Sequence, residues 1–70
     1  MLPSSSLYCI CVKGYLGPAW SEWFDGLTIT QDENGNTLLT GHIVDQAALY
    51  GILNKIRDLG VALISVARIE

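Results

Sequence analysis

Apolar and polar residues alternate along LYCICVK, residues 7–13, with Tyr8, Ile10 and Val12 on one side and Cys9, Cys11 and Lys13 on the other. Successive side chains of a strand point to opposite faces, so period two reads as a first strand with one large-apolar face. Gly14-Tyr15-Leu16-Gly17 interrupts it. Pro18 suits a first helical turn, where no N–H is needed, and Gly26 suits a left-handed terminator. A short helix is therefore expected over 18–25. Trp20, Trp23, Phe24 and Leu27 fall at i, i+3, i+4 and i+7, which predicts aromatic packing onto the sheet.

Two β-rich runs follow, on either side of Asp32-Glu33-Asn34-Gly35, a strong hairpin signal. A two-residue Asn34-Gly35 turn would set Leu27 and Ile29 on one face with Leu38, Thr40 and His42. A three-residue loop with Gly35 as a bulge pairs Asp32 with Asn36 and sets Leu27 and Ile29 beside Leu39, Gly41 and Ile43. The bulged form is preferred because it gathers the apolar residues and leaves Thr28, Thr30, Leu38, Thr40 and His42 opposite them. Asp45 then reads as a helix N-cap, with Val44 and Leu49 placed for a hydrophobic staple. Leu49, Ile52, Leu53, Ile56 and Leu59 recur at helical spacing, and Gly60 fits the position after the helix. VALISVARI is short, rich in β-branched residues and apolar on both faces until Arg68, as in a fourth strand.

The order β, short α, β, β, α, β predicts an α+β fold of the ferredoxin-like βαββαβ type, a four-stranded antiparallel sheet with two helices on one face. Its usual strand order, 4-1-3-2, makes strands one and three neighbours. The face away from the helices would carry Cys9, Cys11, Lys13, Thr28, Thr30, Thr40 and His42.

Composition narrows the function classes. Seventy residues make one domain, 7–70, preceded by a leader over 1–6 that is expected to be disordered. Half the residues are hydrophobic and 16% charged, which is rich in apolar surface for a small monomer and favours a homo-oligomer. The net charge of −3 and four scattered basic residues, Lys13, Lys55, Arg57 and Arg68, argue against nucleic acid as a partner. Neither a secretory leader nor a membrane-length apolar run is present, so a cytoplasmic protein without membrane partners is expected. Two cysteines at i and i+2 of one strand sit at the limit of disulfide geometry, and free thiols are expected.

The blocks WSEWFDGLTIT, TLLTG and DQAALYGILNKIRDLGVALISVARIE resemble a set of small uncharacterised bacterial proteins, over nearly the whole chain. The shared pattern of the last block is DQAALxGxLxKIRDLGxxLxSVxR, and no activity comes with it. Members carry charged residues at the positions of Cys9 and Cys11, which weighs against a role for the thiols. Set beside better-known ferredoxin-like families, the first loop has neither the Cys-x-x-Cys of metal chaperones nor the arginine of acylphosphatases. The third strand lacks the aromatics with which RNA recognition motifs stack bases. Gly14 and Gly17 fit loosely the glycine-bearing turn of amino-acid-sensing ACT domains.

Three chemistries have candidate residues. Cys9, Cys11 and His42 offer two thiolates and an imidazole to a soft metal, but no fourth Cys or His exists to complete a site within the chain. His42 with Asp45 offers an imidazole oriented by a carboxylate, as in a small dimeric α+β-barrel enzyme, yet Asp45 is needed as a helix cap. Trp20 and Trp23 offer an aromatic contact, one expected in the core and one partly exposed, with Trp20 assigned to the contact surface. No cofactor is expected. The reading that follows is a non-enzymatic homo-oligomeric module for interaction or ligand binding, with a protein or small molecule as further partner.

Overall fold

The computed structural model describes residues 6–70. Of the expected leader only Ser6 falls within them, as the first residue of a strand. The elements run β1 (Ser6–Val12), a 3-10 helix η1 (Pro18–Ser21), β2 (Thr28–Gln31), β3 (Thr37–Ile43), α1 (Gln46–Leu59) and β4 (Leu63–Arg68). The strands form one antiparallel sheet in the order β2-β3-β1-β4.

The ferredoxin-like βαββαβ assignment is overturned, because one α-helix is present rather than two. Between β1 and β2 the chain makes only four residues of 3-10 helix followed by turns. The cause is local. Eight residues give few intrahelical hydrogen bonds to set against the cost of nucleating a helix, and Gly17 before Pro18 offers no side-chain cap. Asp25 and Gly26 are both left-handed, at φ 58° and 84°, so the turn is closed from its far end as well. Hydrogen bonds from Trp20 N–H to Gly17, Asp25 N–H to Glu22 and Leu27 N–H to Phe24 span three residues, the reach of a 3-10 turn. The aromatic packing also differs from expectation. Phe24 is fully buried, but Trp20 and Trp23 keep 37% and 44% of their surface exposed.

The hairpin adopts the bulged register. Asp32 N–H donates to Asn36 C=O at 2.9 Å, Gly35 is left-handed at φ 80°, and Ile29 pairs with Leu39. The Asp32 carboxylate accepts from Asn34 N–H at 2.8 Å and Asn36 N–H at 2.9 Å, which ties the turn to a side chain. Leu27 then lies against Gly41, where a Cβ would stand 2.7 Å from Leu27 Cδ2. A side chain there would have to push aside the end of the Leu27 side chain.

Helix α1 begins where the sequence places it. The Asp45 carboxylate accepts from Ala48 N–H at 2.8 Å, and Gly60 closes the other end at φ 77° with its N–H donated to Arg57 C=O. Leu49, Ile52 and Ile56 form its buried stripe and α1 packs over β3, while η1 packs against β2. The core gathers that stripe with Ile10, Val12, Leu16, Phe24, Leu27, Leu39 and Ile43. In β1 the facing alternates, with Ile10 and Val12 in the core and Tyr8 packed against it, while Cys9 and Cys11 take the reverse face. Burial does not alternate with it, because Cys11 is buried too.

Candidate functional site

Two rows of paired residues cross the sheet on the face away from α1. Thr28, Thr40, Cys9 and Ala67 make one row; Thr30, Leu38, Cys11 and Ser65 make the next. Pairing across an antiparallel ladder puts such residues side by side on one face. Thr40 Oγ1 donates to Cys9 Sγ at 3.8 Å, and Cys11 Sγ lies 4.0 Å from an Asp32 carboxylate oxygen. Both cysteines are free thiols, Cys9 half-buried and Cys11 buried. Burial pushes the Cys11 thiol above its ordinary range, with the negative charge of Asp32 and then Cys9 adding to the shift. A raised thiol holds less of the thiolate, the form that attacks or binds a metal, near neutral pH.

The other predicted residues do not converge with these. His42 is exposed and pairs with Leu7, one row beyond Cys9. Among the described residues, no three His, Cys, Asp or Glu side chains stand close enough to hold a metal ion. The Asp45 carboxylate is occupied by the helix cap, and no hydrogen bond links it to His42. Lys13 is exposed beyond the end of β1, where its backbone N–H donates to Ala62 C=O at 2.8 Å. Thr28 and Thr30 are exposed on β2, and Thr40 is half-buried on β3. No concave pocket opens among the described residues.

Trp20 stands apart from the sheet face. It meets Trp23 edge to face, with ring centroids 6.3 Å apart and planes at 85°. Lys55 of α1 places Nζ 5.6 Å from the Trp23 ring centroid, donates to Trp23 C=O at 2.9 Å, and pairs with Asp25 at 3.3 Å. One lysine thus holds the β1–β2 connection against α1.

A further uncovered apolar feature lies elsewhere, in β4. On the helix face a row runs Ile29, Leu39, Ile10, Val66 across all four strands. Leu39 and Ile10 are fully buried, Ile29 is half-buried, and Val66 is 38% exposed, because α1 sits over β3 and not over β4. Its neighbours are barer still: Leu63 is 47%, Ile64 50% and Ile69 54% exposed. Every residue of β4 is exposed. The site residues chosen from sequence omit this strand, although two signals marked it: a run apolar on both faces, and a place at the end of the sheet order.

The fold and its surface define a small α+β protein with one helix over a four-stranded antiparallel sheet and an apolar border strand. The chain belongs to the family described as domain of unknown function DUF8691, whose pattern matches residues 7–67. No curated protein and no solved structure matches the chain. No helix among the described residues is long and apolar enough to cross a membrane.

Proposed function

We propose that this chain is a small non-enzymatic module that works by associating with further copies of itself, presenting a surface for assembly or regulation. One observation carries the reading: Leu63, Ile64, Val66 and Ile69 form an exposed apolar border on a chain with few residues to spare. Burying apolar surface stabilises by roughly 25 cal/mol per Å2, so a border of this kind favours a protein partner over water. Support also comes from the engagement of the Asp45 carboxylate as a helix cap and from the lack of a three-ligand cluster among the described residues, which leaves the catalytic and metal readings without an assembled constellation. With no pocket among the described residues of one chain, the reading places a small ligand between copies.

The test is the mass of the full chain in solution by sedimentation equilibrium. A mass that rises with concentration to a multiple of the monomer is the expected result, with loss of that rise in Val66→Lys. A monomer across the whole range overturns the proposal.

A further inference from the structure

The hydrogen-bond phase of β4 can be read from one contact. Ile69 N–H donates to Leu7 C=O at 2.7 Å, continuing the register in which Tyr8 pairs with Arg68 and Ile10 with Val66. In an antiparallel ladder, hydrogen-bonded pairs alternate with pairs whose N–H and C=O point away. Ser65, Ala67 and Ile69 therefore direct their backbone groups to β1, whereas Val66 and Arg68 direct theirs to the outer side. Among the described residues no strand lies there, since β4 ends the order β2-β3-β1-β4.

Free edges are usually blunted by lysine, proline or an inward charge. The stretch Leu63–Arg68 has no lysine or proline, and its one charge, Arg68, sits at its end, opposite Tyr8 on the helix face. A register shift near its start, where Ser65 pairs with Cys11 but Leu63 with Val12, leaves Ser65–Ala67 a regular, uncharged edge. The other border, β2, is built differently. It has four residues, TITQ, and runs directly into Asp32 and Glu33.

We infer that the outer edge of β4 pairs antiparallel with β4 of a second copy, joining two four-stranded sheets into one of eight strands. This rests on the self-associating reading above and specifies its geometry. Charge makes this the edge at which two copies can meet. Each chain carries a net charge of −3, yet none of its seven acidic residues lies between 59 and 69, where Arg68 is the only charge. Two copies therefore meet along β4 without bringing carboxylates together. A two-fold axis through the contact makes the strands antiparallel and closes the assembly at two, whereas β2-to-β4 pairing would propagate into a fibre. Size sets the strength. An edge of six residues is about 20 Å long, a small contact beside the roughly 800 Å2 per partner of a stable complex, so the dimer is concentration-dependent.

The experiment is amide hydrogen exchange on the full chain at micromolar and millimolar concentration, read by NMR alongside sedimentation. Dimer formation should slow exchange at Val66 and Arg68 about tenfold or more, while Ser65 and Ala67, already bonded to β1, are protected at both concentrations. Val66→Pro removes the outward N–H without taking a bond from the β1 ladder, a place where proline is tolerated. It should give a folded monomer. A dimer in which the Val66 and Arg68 amides exchange equally fast at both concentrations would sink the strand pairing and leave the assembly reading intact. Assemblies larger than two also overturn the pairing, and a permanent monomer overturns both.

Discussion

Thr37 is the one polar residue fully buried among the described residues, and its hydroxyl ties three segments together. Oγ1 accepts from Leu16 N–H at 2.8 Å and donates to Gly14 C=O at 2.7 Å, and the Gln31 amide donates to Leu16 C=O at 3.1 Å. Thr37→Val keeps the shape and strands a buried N–H, which costs about 1–3 kcal/mol; urea unfolding measures it, and Thr37→Ser should recover most of the loss. Gly41 is constrained by space instead, and Gly41→Ala should cost about 1–3 kcal/mol as Leu27 is displaced from the core. Cys11 gives a pH dependence. Its thiol titrates above the ordinary value of 9.0 in the folded chain, so the folded state holds the proton more tightly than the unfolded state. That contribution is present below pH 9 and is lost as pH rises through the raised value. Stability of the natural chain should fall more steeply above pH 9 than that of Cys11→Ala, by denaturant titration at each pH.

Elements differ in how plainly the sequence announces them. The caps of α1 are side-chain and backbone features confined to a few neighbouring residues, so Asp45 and Gly60 were readable in isolation. Asp45→Ala should lower stability by about 0.5–2 kcal/mol, with Asp45→Asn nearly neutral, as thermal melting followed by circular dichroism will show. The hairpin register was readable too, because one register alone puts Leu39 and Ile43 with Leu27 and Ile29. Residues 18–25 misled because the aromatic spacing suits a helix while the length does not. A pattern records which side chains could share a face, not whether enough backbone exists to form one. The candidate surface was legible in the same partial way. Period two placed Cys9, Cys11, Thr40 and His42 on the face away from α1, and the cap claimed Asp45, but it could not show that Cys11 is buried on that face while His42 is exposed. The run apolar on both faces marked β4, but how far it is exposed depends on where the single helix sits.

At the scale of the whole molecule, cover decreases from β3 outward. The strand under α1 is shielded, β1 lies between two neighbours, and β4 is held by β1 alone within the sheet. Local opening should therefore begin at β4, with amides of Ser65 and Ala67 exchanging faster in the dilute chain than those of Ile10 and Leu39. The order of strands has a further bearing on how the chain is made. Residues 8 and 68 are partners across a gap of about sixty positions, among the most distant pairings the chain contains, and closing so wide a loop is slow. While a chain is being synthesised, residues 7–12 and 37–43 are available to each other long before 63–68 emerge. During that interval the first strand has one side satisfied and the other bare, and it waits for the same six residues that a neighbouring, finished chain already displays.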